Sequence, residues 1–79
     1  MSNKSIAETI TIATVKYFKD LDGEQPIKLY ELFLYTAEGP FLRTVYKEAA
    51  YNKSKMAKWL GISRGTLRSK LKWHGILSA

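Results

Sequence analysis

Apolar residues recur at helical spacing along the first part of the chain. Ile6, Ile10, Ala13, Tyr17 with Phe18, and Leu21 keep helical spacing, which predicts a helix from about Ser5 to Leu21. Ser5 with Glu8 three residues on has the form of a capping box. Asp22-Gly23-Glu24-Gln25-Pro26 ends the helix, because Gly23 accepts a left-handed conformation and Pro26 cannot continue the ladder. A second helix is expected from Ile27 to Ala50, and here the pattern changes character. Leu29, Tyr30, Leu32, Phe33, Leu34 and Tyr35 cover most of a helical circumference rather than one stripe. A helix apolar all round is buried all round, and one shorter helix cannot enclose it. A second copy of the chain can, about a two-fold axis, so Leu29, Leu32, Phe33, Phe41, Leu42 and Val45 are the expected core of a homodimer. Gly39-Pro40 falls inside this segment. Pro40 leaves the carbonyl of Thr36 without its helical donor, yet Phe41-Leu42 resume the pattern at once, so a kink is expected rather than a break.

Two short helices complete the chain: Lys53–Leu60 behind an Asn52 cap, and Arg64–Trp73 behind a Ser63 cap. Gly61-Ile62 turns the chain between them, and Gly75 stops the last. Met56, Leu60, Ile62, Leu67 and Leu71 make a small wedge, with Ala57 where the two helices cross closely. The expected fold is all-α, four helices per chain. Residues 1–51 form a dimerisation pair and residues 52–79 a helix-turn-helix, in one compact domain overall.

Charge changes this picture from an architecture to a binding protein. Residues 1–51 carry six Lys/Arg against seven Asp/Glu, whereas residues 52–79 carry Lys53, Lys55, Lys58, Arg64, Arg68, Lys70 and Lys72 with no acid. A basic end joined to a nearly neutral front calls for a polyanion. Nucleic acid leads; an anionic membrane surface or a protein-interaction surface is the rival. The rival needs basic residues on one long amphipathic helix, and Gly61 divides them between two short ones. Cysteine is absent, so neither a disulfide nor a Cys-based zinc site is expected. No nucleophile–base pair, metal spacing or phosphate loop is present, which argues against an enzyme and against any cofactor. The N-terminus lacks the apolar run of a secretory signal, so the expected location is cytoplasmic.

At about 100° per residue, Gly65, Ser69 and Lys72 lie opposite Leu67 and Leu71 on the last helix. Thr66 and Arg68 flank that face, and Arg64 projects from its N-terminal end. Small residues admit the backbone to a DNA groove, and Arg suits bidentate contact with guanine O6 and N7. Thr66, Lys70 and the capped start of the third helix are placed to hold phosphates, with Lys53 and Lys55 adding charge. His74 is expected as a packed or capping residue, and Trp59 and Trp73 at the core or its rim.

The segment ISRGTLRSKLKWHGI resembles the recognition half of the Fis family of bacterial nucleoid proteins, whose full name is factor for inversion stimulation. The resemblance extends through YFKDLDG, LYELFL and the Pro40 interruption. The helix-turn-helix alone is also similar to the DNA-binding ends of enhancer-dependent activators, which leaves a module of that kind as the alternative. The Fis resemblance implies an intertwined homodimer that binds double-stranded DNA with loose sequence preference, bends it, and regulates transcription. It implies guanine reading by Arg64, base contacts from Ser63 and Arg68, and backbone contacts from Asn52, Ser54, Thr66 and Lys70. Ser63, Ser69, Trp73 and His74 depart from the family pattern, where an Asn, a Lys, a Lys and a Tyr are expected. The family's N-terminal hairpin arm has no counterpart in the five residues before the first helix, so stimulation of site-specific inversion is not expected.

Overall fold

The computed structural model describes residues 3–77, and among these four helices account for all regular structure: α1 (Asn3–Leu21), α2 (Leu29–Glu48), α3 (Lys53–Leu60) and α4 (Arg64–Trp73). The all-α expectation is met, and α3 and α4 have the expected bounds. Of the five residues set against the family's N-terminal arm, Met1 and Ser2 lie outside the described residues and the other three belong to α1.

Ser5 is not the cap of α1, because the helix already runs from Asn3. The capping-box reading is therefore corrected: the helix start lies upstream of that motif. α1 is rich in β-branched residues, which are weak helix formers. Thr9, Thr11 and Thr14 each return a hydroxyl hydrogen bond to the carbonyl four residues back, at 2.9, 3.0 and 2.7 Å. The helix ends as expected, with Asp22 and Gly23 both at positive φ (51° and 89°). α2 starts two residues later than expected, after Lys28 in a left-handed conformation. It runs through Pro40 without a break, and the Thr44 hydroxyl donates to the Pro40 carbonyl at 2.9 Å.

α2 closes at Glu48 rather than Ala50. Ala50 and Tyr51 take positive φ (55° and 62°) while Tyr51 N–H returns to the Tyr46 carbonyl at 2.9 Å. Two successive non-glycine residues in the left-handed region make a sharp corner here, and α3 packs back against α2 beyond it. The enclosed core forms across this corner. Leu42, Ala49, Met56, Ala57, Leu67 and Leu71 are buried together, with Val45, Tyr46, Leu60, Ile62, Ile76 and Leu77 packed around them. The C-terminal half of α2 thus serves as the floor of the helix-turn-helix.

The front of the molecule is the opposite case. Between α1 and the N-terminal half of α2 runs an open apolar groove of about 520 Å³ lined by Ile10, Ala13, Tyr17, Leu29, Leu32 and Phe33 among others. The far face of α1 exposes Ile12 and Val15 as well. The radius of gyration is 15.0 Å, against about 11.6 Å for a compact chain of this length.

Candidate nucleic-acid interface

α3 and α4 are held by caps before they are held by packing. The Asn52 side chain accepts from Lys55 N–H at 3.0 Å and starts α3. Gly61 ends it at φ 72°, with Ile62 N–H returning to the Ala57 carbonyl at 3.1 Å; that positive φ is the reason for a glycine here. The Ser63 hydroxyl accepts from Thr66 N–H at 3.1 Å and starts α4. Past its C-cap, His74, Gly75 N–H reaches the Lys72 carbonyl at 3.0 Å and Ile76 N–H the Leu71 carbonyl at 2.9 Å. This is the Schellman pattern, closed by Ile76 packing on the core that contains Leu71.

With Leu67 and Leu71 buried, Gly65, Ser69 and Lys72 are exposed as the helical projection required. Arg64, Arg68 and Lys72 follow one another at four-residue spacing and form a cationic stripe along one flank. Lys72 was read from sequence only as a member of the open face. Its spacing from Arg68 is the signal that joins it to the stripe. The other flank turns toward α2: Lys70 Nζ meets Glu38 Oε2 at 2.9 Å, and Trp73 stands edge-on to Tyr35 with ring centroids 4.9 Å apart.

The polar contacts near the exposed helix starts leave donors on Asn52, Ser54 and Thr66. Asn52 uses its carbonyl oxygen on Lys55, and its NH₂ is left outward. Arg64 Nη1 donates to Ser54 Oγ at 3.4 Å, which steadies the guanidinium and leaves the Ser54 hydroxyl proton available. Ser63 Oγ donates to Thr66 Oγ1 at 3.0 Å, so the Thr66 proton is the one left outward. Lys53, Lys58, Arg68 and Lys72 form no ion pair among the described residues. Lys55 sits over the Trp59 ring at 5.1 Å, and Trp59 and Trp73 are both about half exposed, at the rim of the core.

Of the residues expected between two chains, Leu42 is enclosed in the chain's own core and Val45 packs against that core. Leu29 is half-buried, and Leu32, Phe33 and Phe41 remain exposed.

Sequence reasoning missed the junction between α4 and α2. Nothing local in the sequence marks Glu38, yet its two carboxylate oxygens reach Lys70 Nζ and His74 Nε2, both at 2.9 Å. His74 is 4% exposed, its ring within 4.8 Å of Tyr35 and 4.7 Å of Trp73. A Cβ on Gly39 would stand 3.1 Å from His74 Nδ1, so a glycine at 39 makes room for the ring. Arg43 donates to the His74 carbonyl at 3.4 Å, a cation at the negative end of α4. The hydrogen bond from Lys70 lowers the Glu38 pKa from the usual carboxylate value, against a partial upward push from desolvation and with help from the bond to His74. No helix among the described residues is long and apolar enough to cross a membrane.

Residues 35–73, from the aromatic junction to the end of α4, match the family described as bacterial regulatory protein, Fis family. Over 77 residues the chain is 44% identical to a Fis-like DNA-binding protein of Ralstonia nicotianae, covering 98% of this chain and 100% of that one. It is 42% identical over 76 residues to the DNA-binding protein Fis of Actinobacillus succinogenes, covering 96% of this chain and 77% of that one. A Fis-like DNA-binding protein of Neisseria meningitidis serogroup A is 40% identical over 72 residues, with 91% of each chain covered. Identity at this level over nearly the whole length, a span that takes in all four helices, makes this chain a member of the Fis family.

Proposed function

We propose that this protein binds double-stranded DNA as a homodimer, seating α4 of each subunit in the major groove and bending the duplex between them, as a bacterial nucleoid and transcription regulator. The observation that carries the reading is the donor-rich surface around the starts of α3 and α4. Asn52, Ser54 and Ser63 each accept a hydrogen bond within the chain, and donors of Asn52, Ser54 and Thr66 remain beside Lys53, Lys58, Arg68 and Lys72, which form no ion pair among the described residues. A surface rich in donors and cations, on a segment from 52 to 79 that carries no carboxylate side chain, suits phosphate. Arg64 is the base reader, with Arg68 and Ser63 beside it. Asn52, Lys53, Ser54, Lys55, Thr66 and Lys70 meet the backbone, and Lys72 extends the stripe. The names of the relatives, which describe them as DNA-binding, support the same ligand.

The dimer rests on the front half. A chain whose Ile6, Ile10, Leu32, Phe33, Leu34 and Tyr35 remain at least a third exposed leaves too much apolar surface in water for a monomer. The groove between α1 and α2 is the size and character of a seat for a partner's helix. Bending follows if the two α4 helices stand closer than one helical turn of DNA, since successive major grooves then meet both only on a curved duplex.

Fluorescence anisotropy on guanine-ended and random duplexes, titrated with salt, tests the reading. Log K is expected to fall by about 0.9 for each phosphate neutralised per tenfold rise in salt. Arg64→Ala should cost about 1–3 kcal/mol and flatten the guanine preference. Salt-independent binding, or an Arg64→Ala variant that keeps its sequence preference, would overturn it.

A further inference from the structure

We propose that Glu38 holds Lys70 in reserve: the ammonium leaves the carboxylate for a phosphate when DNA seats on α4, so that Glu38 sets how readily the protein binds DNA loosely. This rests on the DNA-binding reading above. Among the described residues from 52 to 77, Lys70 is the one Lys or Arg with an acidic partner. It is a long, flexible side chain on the flank of the recognition helix, and the pair is open to solvent on the Lys70 side (37% against 22% for Glu38). A carboxylate and a phosphate are interchangeable ligands for an ammonium, and the four-carbon stem lets Nζ swing between them.

Glu38 does not depend on Lys70 for its place. Its other oxygen is held by His74 Nε2 at 2.9 Å, and the His74 ring is fixed among Tyr35, Trp73 and the Gly39 backbone. When Lys70 departs, the carboxylate stays where it is and remains the competing anion. A passing polyanion that does not bring a phosphate close to α4 therefore cannot draw on Lys70. The exposed stripe of Arg64, Arg68 and Lys72 answers any polyanion; Lys70 answers only a seated one. Glu38 is in this sense a positioning residue, acting on DNA through Lys70.

The test is DNA affinity against salt for the full chain carrying Glu38→Gln, which preserves shape and a hydrogen bond to His74 while removing the charge. The expected result is binding tightened on the order of three- to tenfold at low salt on all sequences. The log–log salt slope should steepen by up to about 0.9 per subunit as Lys70 becomes an unmasked phosphate ligand. Adding Lys70→Met to Glu38→Gln should erase both gains. If Glu38 were only a structural brace, Glu38→Gln would weaken binding with no steeper slope, and that outcome overturns the proposal. If the unaltered protein binds no DNA, the functional reading fails instead. Should the variant not fold, carbon-detected titration of the Glu38 carboxyl in the unaltered protein gives the answer: its midpoint should rise in the DNA complex as Lys70 leaves. An unchanged midpoint refutes the exchange.

Discussion

The two ends of this chain solve the same problem in opposite ways. Behind the corner at Ala50-Tyr51, α3 and α4 are only 8 and 10 residues long, too short to persist alone in water. They are nevertheless complete: both starts are capped by side chains, both ends turn at a positive-φ glycine (Gly61 and Gly75), and Met56, Leu67 and Leu71 are fully buried. In front of the corner, α1 is 19 residues long and α2 is 20, yet none of the described side chains of α1 is buried. α1 is built largely from weak helix formers, and Lys28 starts α2 with no side-chain cap. Length does not make the front stable, and shortness does not make the rear unstable. What differs is whether each region's apolar surface is met within its own chain.

The sharpest way to break this contrast is to charge the front groove. Phe33 is 40% exposed in the single chain, so Phe33→Asp should cost a monomer little. At a two-fold interface the same change buries an unpaired carboxylate twice, at several kcal/mol each. The expected outcome is loss of the dimer and of cooperative unfolding at micromolar concentration, read by sedimentation and circular dichroism. A variant with unchanged mass and melting would show that the groove is not an interface.

The rear predicts a different response. Leu71→Ala removes a fully buried side chain from a core already closed and should destabilise by about 2–5 kcal/mol, measured by urea unfolding. The loss should not depend on protein concentration beyond what dimerisation itself imposes. If its cost rose and fell with concentration as that of Phe33→Asp does, the separation into a self-contained rear and a shared front would fail.

These contrasts also explain what could be read in the sequence. The bounds of α3 and α4 were legible because Asn52, Gly61, Ser63 and Gly75 are local signals that act within a few residues, and the structure has each of them at a helix end. The start of α1 was not, since Ser5 and Glu8 match a capping box equally well inside a helix. The end of α2 was misjudged because Ala50 and Tyr51 adopt positive φ, where no residue type advertises it. Glu38 was invisible as a partner of Lys70 and His74 because the contact joins residues 32 and 36 apart, and no periodicity reports that. Leu42 looked like any other apolar position of α2; only the docking of α3 and α4 on that half of the helix separates it from Leu32 and Phe33.

A smaller effect sharpens the comparison at the helix starts. Ser63→Ala removes the bond to Thr66 N–H and should cost about 1 kcal/mol of stability. It also frees the Thr66 hydroxyl from its inward partner, so DNA affinity should fall further than stability alone accounts for. Lys28→Ala, at the uncapped start of α2, removes no cap bond and should leave the melting temperature within the range of ordinary surface changes. Equal losses at the two positions would mean that side-chain capping does not distinguish rear from front.

The smallest expected effect is acid lability at the seam where the two regions meet. The Lys70 ammonium, and after it the His74 hydrogen bond, hold the Glu38 pKa below its ordinary value near 4.5. A carboxyl whose folded pKa is depressed binds its proton more readily in the unfolded chain. Its contribution to stability is therefore complete above the ordinary carboxylate value and is lost as pH falls through the lower, folded one. The window thus begins near pH 4.5 and extends downward, and nothing is expected from this group between neutrality and pH 5. Part of the pair is open to water, so the contribution is about 1 kcal/mol or less. Protonation removes the charge that fixes Lys70 and weakens the acceptor for His74, loosening α4 on α2 while the Leu42–Leu71 core stays closed. Thermal melts from pH 7 to 3, comparing the unaltered chain with Glu38→Gln, separate the Glu38 contribution from that of the other carboxylates. The unaltered chain should lose its advantage over the variant as the pH drops below 4.5; a constant difference down to pH 3 would mean that the charge on Glu38 contributes nothing to the seam.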